Sequence, residues 1–187
     1  MSITELQPAH VEALTRFFQE LPDGDVTFIK EDVTDPATVR SWTRGSSSRW
    51  VAIAGDMDGD TDGDTDGDTV TGYVAIIPLS GWSDHVGELR LVVHPTHRGT
   101  GLGGELARHG LSRALEAGLS KLVVELVADQ EHALEMFLKI GFTGEALLRD
   151  HIRDRDGGLR DLVVLAHHVD TNWEAMTAVG LADELGS

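Results

Sequence analysis

Residues 94 to 106 read HPTHRGTGLGGEL and place four glycines, Gly99, Gly101, Gly103 and Gly104, within six positions. Glycine at that density costs conformational entropy unless the backbone must turn sharply or be approached closely. The apolar run ELRLVV precedes the stretch and the helical pattern LARHGLSRAL follows it. A strand, a glycine turn and a helix start together make an anion site, because backbone N–H groups and the helix dipole both face the turn. The chemistry on offer is therefore the cradling of a phosphate or diphosphate.

Two familiar phosphate sites fit poorly. Gly99, Gly101 and Gly104 satisfy G-x-G-x-x-G, and Glu125 stands about twenty residues on, where a dinucleotide site needs a ribose-binding acid. Yet the five residues HPTHR separate strand from glycine, and too little chain follows for a doubly wound fold. A P-loop requires Gly-Lys-Ser/Thr, which is absent. The acidic repeat DGDT, three times over in residues 58–69, is the other conspicuous pattern. Asp62, Asp64, Asp66 and Gly67 match the start of a calcium loop, but Tyr73 occupies the twelfth position where a bidentate Glu is needed. The repeat reads as an extended acidic loop, residues 55–69, with loose cation association. Nine histidines show no metal-ligand spacing; His94, His97, His167 and His168 read as surface residues, and His85 as a candidate substrate contact. No metal site is expected.

Composition narrows the partners. Acidic residues number 32 against 15 basic ones, giving a net charge of −17, which disfavours nucleic acid and anionic membrane. Only Lys30, Lys121 and Lys139 are lysines, and the surface resembles that of a halophile's protein. There is no cysteine, hence no disulfide, thiolate metal site or cysteine nucleophile. The N-terminus has neither the basic nor the apolar region of a signal peptide, so a cytoplasmic protein is expected.

Stepping along the chain, SITEL reads as a first strand. PAHVEALTRFFQEL sets Val11, Leu14, Phe18 and Leu21 on one helical face. Asp35 and Pro36 open a second helix as N-cap and first residue. RWVAIAG, TVTGYVAIIPL and HVGELRLVVH give three strands around the acidic loop. A helix from about Gly101 to Ala117 buries Leu102, Leu106, Ala107, Leu111 and Ala114. KLVVELVA is a strand apolar on both faces and so central. DQEHALEMFLKI is an amphipathic helix, and two last strands pair around the turn RDGG. The order βααβββαβαββ describes an α/β protein, one domain over residues 1–169, with a mixed sheet between helices. The tail, residues 170–187, has the pattern of a short helix whose Trp173, Met176 and Val179 need a surface such as a second copy of the chain.

Arg98-Gly99-Thr100-Gly101-Leu102-Gly103 fits R/Q-x-x-G-x-G/A, the pyrophosphate signature of the GNAT N-acetyltransferases, and HALEMFLKIGF resembles that family's A-x-x-x-Y-x-x-x-G-F segment. The resemblance implies the GNAT acyl-CoA N-acyltransferase fold, a mixed sheet splayed between the fourth and fifth strands. It implies acetyl-CoA as cosubstrate, its diphosphate on Arg98, Gly99, Thr100, Gly101, Leu102, Gly103 and Gly104. Its pantetheine arm then lies against the main chain of Leu91, Val92 and Val93, with a backbone N–H near Val92 or Val93 polarising the thioester carbonyl. Gln130 and Phe137 fall at positions that contact the coenzyme in the family, where asparagine and a proton-donating tyrosine are usual. Tyr73 is the sole tyrosine that could compensate.

Direct transfer to an amine needs a general base. Glu88, the preferred candidate, matches the glutamate of phosphinothricin-type acetyltransferases, and Glu125 that of the ribosomal-protein alanine acetyltransferase type. The plain alternative is an ion pair with an arginine such as Arg90. Acceptor choice is expected in residues 22–34, SGWSDHVG and RDHIRDRDGGLRD, the acceptor being an amine-bearing small molecule or peptide. A coenzyme A-binding module without catalysis, and a dinucleotide-binding protein, are the alternatives.

Overall fold

The computed structural model describes residues 1–26, 29–44, 48–54 and 69–169. The DGDT repeat up to Asp68 and the tail helix proposed for 170–187 lie outside the described residues; Thr69 already begins a strand. Seven strands form one sheet: β1 Ser2–Glu5, β2 Ser48–Ala54, β3 Thr69–Pro78, β4 Val86–Val93, β5 Lys121–Val127, β6 Thr143–Arg153 and β7 Leu159–His168. Their spatial order is β1-β2-β3-β4-β5-β7-β6, with β4 and β5 parallel and every other pair antiparallel. The helices are α1 Val11–Gln19, α2 Asp23–Val26, α3 Pro36–Trp42, α4 Leu102–Glu116 and α5 Glu131–Lys139.

The periodicities explain the layers. In α4 the five expected apolar residues are all 2% exposed or less and pack on Val74, Ile76 and Leu89 of the sheet. Gly110 lets the helix sit close, since a Cβ there would stand 2.5 Å from Leu89 Cδ1. On the opposite face α1 buries Leu14, Phe17 and Phe18 against Val51, Ile53 and Tyr73. Asp35 caps α3 by accepting from the Ala37 N–H at 2.9 Å. The β6–β7 turn closes with Gly157 at φ +85° and the Asp154 N–H donating to the Gly158 carbonyl at 2.9 Å.

Three features depart from the sequence reading. The single turn α2 was not anticipated, because DGDV carries no helical pattern; the Pro22 carbonyl holds it by accepting from Asp25 and Val26 N–H at 2.9 and 3.2 Å. β5 is central but not covered on both faces: Leu122, Val124 and Leu126 are buried toward α4 and α5, while Glu125 is exposed. His167 is core, not surface: 1% exposed against Phe142, because β7 is an interior strand there.

Candidate active site

The strands β4 and β5 pair only at Val86↔Lys121, Gly87↔Leu122 and Glu88↔Val123, and then part. Beyond Glu88, β4 continues to Val93 with β3 alone as its partner. The direction of its main chain follows from the ladder. The Leu79 N–H donates to the Val86 carbonyl and the His94 N–H to the Thr71 carbonyl, both at 2.9 Å, so even-numbered β4 residues bond to β3. His85, odd-numbered, accepts from Ser120 and Lys121 on the β5 side. With a period of two, Leu91 and Val93 turn their N–H and C=O groups into the opening gap, and Val92 does not. Side chains alternate likewise: Leu89, Leu91 and Val93 pack toward α4, and Val92 toward α1.

The wide end of the gap meets the glycine loop. Gly99 and Gly101 have φ of +75° and +96°, a left-handed conformation that residues with a Cβ adopt at a cost. Gly101 is the N-cap of α4 and no side chain among the described residues caps that helix, whose first intrahelical bond runs from the Glu105 N–H to the Gly101 carbonyl at 3.1 Å. The N–H groups of Gly101, Leu102, Gly103 and Gly104 therefore have no acceptor within the helix, and the dipole adds to their pull on an anion. The glycines differ in purpose. A Cβ on Gly99 or Gly101 would meet open space, whereas one on Gly103 would press Met136 Sδ of α5 at 3.0 Å. Arg98 folds back, Nη2 on Asp25 Oδ2 at 2.5 Å and Nε on the Val93 carbonyl at 3.3 Å, and Thr100 Oγ1 donates to the His97 carbonyl at 2.7 Å.

The narrow end is a web of charges on the α1 side of the sheet. Glu88, 9% exposed, takes Arg90 in a fork, Nε to Oε1 at 3.1 Å and Nη2 to Oε2 at 3.0 Å. Lys30 Nζ lies 2.7 Å from Glu88 Oε1 and 2.9 Å from Glu125 Oε2, so one ammonium joins both candidate bases. Arg90 also reaches Glu31 at 2.7 Å, and Glu31 reaches Arg49 at 3.6 Å. Arg49, buried over the Trp42 ring, donates to the Tyr73 hydroxyl. Burial disfavours the ionised form of Glu88, but hydrogen bonds from Arg90 and then Lys30 outweigh it and hold its carboxyl below the usual range. Lys30 loses some solvation, yet its bonds to Glu88 and Glu125 raise its pKa.

Other anticipated residues are placed elsewhere. Tyr73 is 4% exposed, opposite Val92 but packed on Phe18 and Trp42, and burial pushes its phenol up to about 12. Phe137 is 2% exposed, edge-on to Phe142 in the core. Gln130 is the N-cap of α5 and borders a cleft of about 410 Å³ with Asp23, Gly24, Asp129 and Arg155. That cleft and a neighbouring one of about 530 Å³ bring residues 23–26 and 29–34 against the β6–β7 hairpin, two of the three segments expected to choose the acceptor. His85 sits at the paired end of β4, exposed beside Asp84. His94 is half-buried, bonded to Thr96 and 3.7 Å from Glu20. Lys30, Glu31 and Arg49 were not anticipated; a lone lysine in a polar segment carries no signal, and only scarcity set Lys30 apart.

A family model described as the acetyltransferase (GNAT) family matches residues 16–142. The chain belongs to the GNAT acetyltransferase family. Solved structures share its fold. One is yncA of Salmonella typhimurium, solved with its cofactor acetyl-CoA: 20% identity, 91% of this chain and 94% of that one, TM-score 0.73. A ribosomal-protein-alanine N-acetyltransferase of Brucella melitensis is 20% identical over 90% of this chain and 99% of its own, also at 0.73. A GNAT acetyltransferase of Streptococcus pneumoniae reaches 0.74 at 17% identity, with 89% and 98% covered. At such identities the likeness is one of fold. No curated protein matches the sequence.

Proposed function

We propose that the chain transfers the acetyl group of acetyl-CoA to a primary amine, the two substrates being held together and the amine attacking directly. What carries the reading is a single arrangement: a gap lined by outward-facing main chain, with uncapped helix N–H groups at one end and a carboxylate pair at the other. The donors fit the cosubstrate. A diphosphate needs several N–H groups aimed at one place, and the first turn of α4 supplies them with no competing side-chain cap among the described residues. A pantetheine arm needs an unpaired strand edge, and Leu91 and Val93 provide one. Bound there, acetyl-CoA supplies an activated acyl carbon and a thiolate leaving group.

The protein's own part is to orient, polarise and move one proton. The Val93 N–H is the donor best placed for negative charge developing on the thioester oxygen, since Val92 is engaged with β3. The acceptor arrives as an ammonium and must lose a proton before it attacks. Glu88, forked by Arg90, is a poor proton acceptor and a good anionic seat. Glu125, more exposed and joined by Lys30 alone among the described cations, is the better acceptor of the proton. Glu88 thus holds the ammonium and Glu125 deprotonates it. With Phe137 in the core and Tyr73 on the wrong side of β4, water protonates the departing thiolate, tolerable for a thiol whose pKa is about 8.5.

An acceptor screen with acetyl-CoA and thiol detection, run at low and molar salt, tests this. Thiol release with any primary amine supports it. Calorimetric binding of acetyl-CoA with no turnover on any amine overturns it in favour of a non-catalytic module, and NAD binding instead of coenzyme A favours a dinucleotide site.

A further inference from the structure

We propose that Lys30 occupies, in the free protein, the place that the acceptor's ammonium takes during turnover, and that this selects a primary amine of single positive charge without an adjacent carboxylate. The inference rests on the acetyltransferase reading and names its acceptor class. Lys30 Nζ touches both carboxylates at the point where β4 and β5 part, since Glu88 is the last paired residue of β4 and Glu125 stands two beyond its partner Val123. A primary ammonium held against the proposed base at the end of the gap is what an acceptor must become. Here the chain supplies its own.

Charge sets the valence. Glu31, Glu88 and Glu125 are matched by Lys30, Arg49 and Arg90, so the web is neutral as it stands. Withdrawing Lys30 leaves one uncompensated negative charge, on Glu125, which has no other ion-pair partner among the described residues and whose side chain is 32% exposed, while Glu88 keeps Arg90. A partly buried charge without its partner is costly, so another cation is drawn in. One charge restores the balance, whereas a carboxylate beside the amine would face Glu88 and Glu125. Of the three cations only Lys30 can leave readily. Its side chain is 46% exposed against 22% for Arg90 and 7% for Arg49, and an ammonium on a flexible stem lacks the fork that fixes Arg90. The cleft it borders holds Asp32 and Asp154 to receive it.

Calorimetry on the full chain without acetyl-CoA tests this, using pentylamine and norleucine, which differ only in the α-carboxylate. Pentylamine should bind Lys30→Met and Lys30→Gln about tenfold more tightly than wild type, or about 1.4 kcal/mol. Norleucine should gain nothing, and adding Glu88→Gln should erase the gain. Lys139→Met, which removes the same charge from an exposed residue paired with Glu135, should leave affinity unchanged. Equal affinity in wild type and both Lys30 variants, the same gain in Lys139→Met, or norleucine binding as tightly as pentylamine would each overturn the proposal. Because no acetyl-CoA is present, any of those results alongside continued thiol release in the acceptor screen would sink this inference and leave the acetyltransferase reading standing.

Discussion

At the wide end of the β4–β5 gap the groups facing the opening are main-chain N–H groups, those of Val93 and of the first turn of α4. At the narrow end they are side chains: Glu88, Glu125 and Lys30, drawn from three separate segments. The two ends consequently fail in different ways. A main-chain cradle depends on φ, ψ and the room left by missing Cβ atoms, and it is indifferent to much side-chain chemistry. A carboxylate pair depends on charge and register, and it can be emptied by a substitution that leaves the backbone untouched.

The largest effect expected from this contrast is at Gly101. Gly101→Asp places a side chain and a negative charge at the uncapped N–H groups, at φ +96°. Acetyl-CoA affinity should fall at least about 100-fold, some 2.7 kcal/mol, with near-native circular dichroism; unchanged calorimetric affinity would show that the diphosphate binds elsewhere. Alanine separates the two kinds of glycine. Gly101→Ala should destabilise by about 1–2 kcal/mol, the cost of a left-handed residue with a Cβ. Gly103→Ala should stay within about 1 kcal/mol of wild type, because helix propensity offsets the crowding of a flexible methionine. Equal losses in chemical denaturation would break the distinction between strain and packing.

The smallest effect concerns a buried polar group outside the site. The ring nitrogens of His167 have no hydrogen-bond partner among the described residues, and burial, with His168 adding, holds its imidazolium pKa below the ordinary value. The folded state thus binds that proton less readily than the unfolded chain. Stability should be fully present above the unfolded value near 6.5 and decline as pH falls below it. His167→Leu should flatten that decline in thermal melts between about pH 7.5 and 5, leaving the smaller slope owed to His109, whose pKa burial also lowers. An unchanged slope would place the acid sensitivity elsewhere.

The same contrast explains what could be read from the sequence. The strand–loop–helix unit was legible because its signal is local: glycine spacing, the preceding strand and the following helix occupy one contiguous stretch, and the α4 periodicity held at each of its five apolar positions. The splay came with the resemblance, and the ladder then singled out Val93 over Val92, which needs the parity of the β3 pairing. Glu88 and Glu125 were legible one at a time. Their union through Lys30 was not, since it depends on how residues 29–34 fold back across the sheet. His167 misled for the opposite reason: HisHis near a chain end looks polar, but β7 lies between β5 and β6.

The central claim is a division of labour, with Glu88 holding the ammonium and Glu125 taking its proton. The measurement that tests it most directly is the pH–rate profile of Glu88→Gln and Glu125→Gln, made in parallel with the best acceptor from the screen. Glu125→Gln should lower kcat by about 10²–10⁴-fold and abolish the acidic limb, with the KM for acetyl-CoA nearly unchanged. Glu88→Gln should keep that limb and mainly raise the acceptor's KM. Loss of the limb in Glu88→Gln with its retention in Glu125→Gln would reverse the assignment, and near-normal kcat with the limb intact in both would show that neither carboxylate is the base.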